Sequence, residues 1–155
     1  MPLQPGIYPV HAADYPRVVE VWEASVRATH GFVAAADIEI FRPLVRRVLP
    51  HLTLACVRDE ADCVGGYIAV GGQKVEMLFM HPDFRGLGAG RRLMTYAIYV
   101  LGATEVDVNE QNEQAVGFYR HLGFAVFARS ERDGLGKPYP ILHLRKITDA
   151  ASDEA

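Results

Sequence analysis

The chain has 155 residues, half of them apolar and 23% charged, with a formal net charge of −3. This is the length of one ordinary domain, able to bury a full core without disulfide staples. A weakly acidic balance excludes broad nucleic-acid binding, which needs a basic face, yet permits a local basic pocket for one phosphorylated ligand.

The opening Met1-Pro2-Leu3-Gln4-Pro5-Gly6 lacks the charged and apolar regions of a signal peptide. No uncharged apolar run approaches the ~18 residues of a membrane span. A cytoplasmic protein with no membrane partner is therefore expected. A short strand is expected over 6–10, and Asp14 is expected to cap a first helix with Pro16 in its first turn. Val18, Val19, Trp22 and Val26 recur at helical spacing and give that helix one apolar face. A second helix is expected over 34–48, with Pro43 kinking or splitting it.

Three strands follow over 52–58, 63–70 and 74–80, the last two joined by a tight turn at Gly71-Gly72. The first two form a hairpin in which Cys56 is expected to face Gly65 and Cys63 to face Arg58, both cysteines being buried free thiols. No Cys-x-x-Cys or His-Glu-x-x-His pattern is present, so no metal site is expected. A helix over 88–101 turns Leu93, Met94, Ala97, Ile98 and Leu101 inward. A strand over 105–109, a short helix over 112–121 ended by Gly123, and strands over 124–130 and 139–146 complete the pattern. The order predicts an α/β (α+β) fold: a mixed sheet of about seven strands with helices on both faces and a right-handed parallel crossover from 74 to 109. Residues 1–147 form a single domain in this reading, and 148–155 a frayed tail.

The segment that carries chemistry is Arg85-Gly86-Leu87-Gly88-Ala89-Gly90, between a strand end and a helix start. Glycines let backbone N–H groups approach a ligand, and a helix N-terminus favours a pyrophosphate. Arg85 and Arg91 add charge. The spacing fits neither the dinucleotide fingerprint, where Arg91 or Leu93 stands at the third glycine site, nor a P-loop, which needs Gly-Lys-Ser/Thr. A glycine turn without a ligand is the plain alternative.

Arg85-x-x-Gly88-x-Gly90, with Asn112-x-x-Ala115-x-x-Phe118-Tyr119-x-x-x-Gly123-Phe124 downstream, resembles the paired signatures of the GNAT superfamily of N-acetyltransferases. The similarity in element order spans roughly residues 6–146. Ser25-Val26-x-Ala28-Thr29-His30, 108–119 and Gly136-Lys137-Pro138-Tyr139-Pro140 are similar to the bacterial YjaB-type subgroup.

The resemblance implies transfer of an acetyl group from acetyl-CoA to a primary amine by direct attack. It implies that the strands over 74–80 and 105–109 splay apart to admit the pantetheine arm. The arm then pairs with backbone at Leu78, Phe79 and Met80, and the pyrophosphate lies on Arg85, Gly86, Leu87, Gly88, Ala89, Gly90 and Arg91. Asn112 hydrogen-bonds the arm, and Tyr119, also at the cofactor, is the general acid. Glu76 is the candidate base and an acceptor contact, with His30 and Tyr139 lining the acceptor site. The acceptor is a small-molecule or peptide amine, and a homodimer is possible. The other reading is a catalytically idle CoA-binding module of the same fold.

Overall fold

The computed structural model describes residues 2–147, and the tail expected over 148–155 lies outside them. The chain divides into two compact units, residues 1–103 and 104 onward.

In the first unit, four strands form an antiparallel series: β1 (Tyr8–Pro9), β2 (Thr53–Arg58), β3 (Val64–Gly71) and β4 (Lys74–Met80). β1 is two residues long where five were expected, and Pro9 has no N–H to extend the ladder. The apolar run of β3 is buried from Val64 to Val70, so both of its faces are covered. Tyr67, Ala69 and the Cys56 side chain of β2 cluster with Val18, Val21, Trp22 and Val26 of α1 (Tyr15–Thr29) and Ile38 of α2 (Ala35–Val48). The opposite parity, Ile68 and Val70, is covered by α3 (Ala89–Tyr99), which buries Leu93, Met94 and Ala97 and packs on β3 and β4. Each such aliphatic side chain contributes roughly 1.5–3 kcal/mol on burial.

Asp14 stands at the N-cap of α1 as expected, but its carboxylate makes no capping bond. It accepts instead from the His11 N–H at 2.8 Å and from both terminal nitrogens of Arg58 at 3.2 and 2.8 Å. Arg58 is only 7% exposed and also donates to the carbonyls of Pro9 and Asp62. This buried cation therefore has a carboxylate and two carbonyls around it, as burial of a charge requires. The Arg58 hydrogen bond holds the Asp14 carboxyl below its ordinary range. α2 runs through Pro43 as one helix, so of the expected kink or split the split does not occur.

The β2–β3 register differs from expectation. Cys56 pairs with Tyr67, not Gly65, and Arg58 pairs with Val64 across a bulge at Val57/Arg58. Asp59 draws the turn tight, its Oδ1 accepting from the N–H groups of Ala61 and Cys63 while Asp62 takes a left-handed φ of 66°. Cys56 is buried, and burial pushes its thiol up to about 11. Cys63 is exposed, contrary to expectation.

Glu23 joins α1 to α2, accepting from Arg42 Nε at 2.6 Å and from Arg27 Nε at 2.9 Å. The Arg42 and Arg27 hydrogen bonds lower its carboxyl from 4.5 to about 2. A pKa lowered on folding stabilises above the unfolded value and is lost as pH falls through the folded one. Glu23→Gln is therefore expected to cost at most about 1 kcal/mol at neutral pH. In urea melts that deficit should shrink from about pH 4.5 downward and vanish near pH 2. A deficit constant with pH would show that the ion pairs add nothing.

The second unit holds β5 (Glu105–Asn109), α4 (Glu113–His121), β6 (Phe124–Ser130) and β7 (Ile141–Lys146), with β7 paired antiparallel to both other strands. Val106, Val108, Leu142, Leu144 and Phe124 are buried, and α4 packs on β5 and β6. β7 begins two residues later than expected: the Pro140 carbonyl still accepts in register from the Glu110 N–H, but proline has no N–H to return the bond and extend the strand. Gly123 (φ 94°) ends α4 as expected.

Candidate active site

β4 ends at Met80, and the chain is then pinned to β3 by the His81 N–H, which donates to the Gly65 carbonyl at 2.9 Å. Phe84 is buried beside Gly65, where a Cβ would approach its ring to 3.0 Å. Gly66 leaves room for Met80 in the same way, since a Cβ there would meet the Met80 sulfur at 2.1 Å. Two small residues of β3 thus let the strand end and the following turn lie close on the sheet. Sequence reasoning did not single them out, although adjacent glycines inside a strand mark close approach.

Arg85 opens the glycine turn. Gly86 (φ 79°) and Gly88 (φ 77°) both take left-handed backbone, which L side chains rarely adopt. A Cβ at either would meet no protein atom within 4 Å. These glycines are therefore required by conformation, and the space over them is open. Gly88 is the N-cap of α3 and supplies no side chain to the helix end. The first intrahelical bond runs from the Arg92 N–H to the Gly88 carbonyl, so the N–H groups at the helix start have no partner one turn back. Leu87, Arg85 and Arg91 are exposed around this opening. Open space, backbone donors, a helix N-terminus and two cations fit a pyrophosphate. Arg92 is committed elsewhere, donating to the Gly6 carbonyl at 2.6 Å.

On β4, Leu78, Phe79 and Met80 pair with Ile68, Tyr67 and Gly66 of β3 and are half-buried. Glu76 lies at a register shift: Val75 pairs with Val70 and Met77 with Ala69, leaving Glu76 as the extra residue. A Cβ on Gly71 would sit 3.6 Å from the Glu76 carboxylate and 3.0 Å from Leu52, which packs against the α1–α2 cluster. The bulge therefore turns Glu76 toward the α1–α2 face, with Lys74 Nζ 3.7 Å from its carboxylate. His30 occupies the C-cap of α1 on this face, its ring centroid 5.2 Å from that of Phe32 and 6.3 Å from that of Phe79. Burial lowers its imidazole from 6.5 to about 4.

In the second unit, Asn112 caps α4, its Oδ1 accepting from the Ala115 N–H at 3.2 Å. Tyr119 is 5% exposed, edge-on to Phe118 and Phe124, and burial pushes its phenol above the usual 10. Tyr139 is buried and presents little surface to an acceptor. A chain of side chains missed by sequence reasoning crosses all three strands. Ser130 Oγ lies 2.7 Å from His143 Nε2, and His143 Nδ1 lies 2.7 Å from Asp107 Oδ1. It spans 36 positions of sequence and becomes visible only once Asp107 and His143 are in register. Among the described residues, no cluster of three or more His, Cys, Asp or Glu could hold a metal, and no helix is long and apolar enough to cross a membrane.

Comparison with known proteins identifies the family. The acetyltransferase (GNAT) domain model matches residues 50–126, a span that holds both the glycine turn and Tyr119. The peptidyl-lysine N-acetyltransferase YjaB of Escherichia coli (strain K12) is 46% identical over 130 residues, 84% of this chain and 88% of that protein. Its namesake from Salmonella typhimurium is 41% identical over 128 residues, 83% and 88% of the two chains. The solution structure of apo-form YjaB from Escherichia coli has a TM-score of 0.84 and 41% identity, covering 95% of this chain and 99% of that one. The PaiA N-acetyltransferase of Thermoplasma acidophilum, in complex with coenzyme A, shares the fold with a TM-score of 0.69 and 19% identity, over 95% of this chain and all of that one. With its α/β fold and its glycine turn, the chain belongs to the GNAT family and is an acetyl-CoA-dependent N-acetyltransferase.

Proposed function

We propose that this enzyme acetylates the side-chain amine of lysine in peptides or proteins. The observation that carries the acceptor is the identity of 46% and 41%, each over more than four-fifths of the chain, to two proteins named as peptidyl-lysine N-acetyltransferases. Backbone N–H groups from Gly86 to Gly90 hold the pyrophosphate, with Arg85, Leu87 and Arg91 flanking it. Backbone at Leu78, Phe79 and Met80 receives the pantetheine arm on the edge of β4 that β3 does not use, as an added strand. A backbone N–H near Met80 polarises the thioester carbonyl.

Glu76, turned by its bulge to the α1–α2 face, draws the cationic lysine toward the site. Tyr119 stays protonated in its buried setting and gives its proton to the departing thiolate. Asn112 steadies the arm as well as capping α4. Attack is direct, with amine and thioester bound together.

Incubation of the enzyme and acetyl-CoA with lysine peptides, free amino acids and small polyamines tests the acceptor class. Mass spectra should show one acetyl group added at lysine Nε. Acetylation of the small amines with none on the peptides would replace this acceptor.

A further inference from the structure

The proton on the attacking nitrogen needs a destination, and the end of α1 provides one. Thr29 Oγ1 lies 2.7 Å from the Ser25 carbonyl oxygen and 2.7 Å from His30 Nδ1. A carbonyl only accepts, so the single hydroxyl proton of Thr29 is committed to Ser25. Thr29 Oγ1 must then accept from His30, which places the imidazole proton on Nδ1. In the neutral ring the basic lone pair is therefore on Nε2. Burial keeps the ring neutral, since its pKa falls to about 4. The ring centroid lies 6.3 Å from that of Phe79, the middle residue of the β4 segment assigned above to the pantetheine arm, and the Phe79 centroid lies 6.0 Å from that of Tyr67.

We propose that His30 Nε2 is the proton acceptor for the attacking amine, and that Thr29 is the positioning residue that fixes its tautomer. This rests on the lysine-acetylating reading above. As the amine nitrogen bonds to the thioester carbonyl carbon, its proton passes to Nε2 and the carbon–sulfur bond breaks. The sulfur leaves as thiolate and takes the proton of Tyr119. The imidazolium releases its own proton to solvent, and the phenol is restored from solvent. A weakly basic imidazole does not strip a proton from free lysine ammonium near pKa ~10.4. The ammonium drawn in by Glu76 first gives one proton to solvent, and the imidazole then acts on the neutral amine, which a desolvated wall favours over the ammonium.

The test combines kinetics on saturating lysine peptide with nitrogen-15 NMR of the full chain. His30→Gln should lower kcat about 100-fold, the usual order for a lost general base, with acetyl-CoA affinity unchanged. Thr29→Val should lower kcat several-fold with little change in KM and let an Nε2–H ring signal appear. Thr29→Ser should restore both. Because Thr29→Val removes no ring, it keeps the test open if His30→Gln folds poorly. Wild-type kcat in His30→Gln, or an Nε2–H tautomer in the wild-type protein, would overturn the role of His30 and leave the acceptor assignment standing. A wild-type enzyme that acetylates no lysine peptide would overturn both.

Discussion

Gly88→Glu is expected to lower acetyl-CoA affinity by at least ~10³-fold, about 4 kcal/mol. Two effects combine. Gly88 has a φ of 77°, where a residue with a Cβ costs roughly 1–2 kcal/mol. The added carboxylate also projects into the space open above the turn and repels the pyrophosphate, which the helix dipole otherwise attracts. Gly88→Ala separates the two. Its Cβ meets no protein atom within 4 Å, so the variant should fold with a modest loss of stability and keep most of its affinity. Calorimetry reads both. Wild-type affinity in the glutamate variant would remove the pyrophosphate from this turn.

Tyr119→Phe is expected to lower turnover by about 100-fold, within the range seen for general acids. The ring packs against Phe118 and Phe124 at 5.4 and 6.3 Å, contacts that phenylalanine keeps. Folding and acetyl-CoA affinity should therefore change little. Burial holds the phenol protonated throughout the neutral range, so the group is loaded with the proton that the leaving sulfur needs. Rapid-quench measurement of the chemical step distinguishes this from slow product release. An unchanged chemical rate would show that Tyr119 only packs.

The parts of this protein legible in its sequence are those written in local rules. The glycine turn was visible because Gly86 and Gly88 must bend left-handed just before a helix, a need no other residue meets as cheaply. The strands over 74–80, 105–109 and 124–130 appear with the expected bounds, since periodicity and turn residues mark them directly. What was hidden depends on register. The bulge that turns Glu76 arises where β4 carries one residue more than β3, a mismatch no single segment reveals. The Cys56–Tyr67 pairing was missed for the same reason, since Asp59 closes the turn in a way that composition does not disclose. The Thr29 lock on His30 is adjacent in sequence, yet its meaning depends on the backbone placing the Ser25 carbonyl within reach of the hydroxyl.

The most direct measurement of the central claim is a titration of the nitrogen-15-labelled enzyme with coenzyme A, following backbone amides. If the turn clasps the pyrophosphate, the amides from Gly86 to Gly90 should shift most, with Leu78 to Met80 next as the arm docks. Saturable binding that leaves those glycine amides unmoved, and shifts another surface instead, would contradict it.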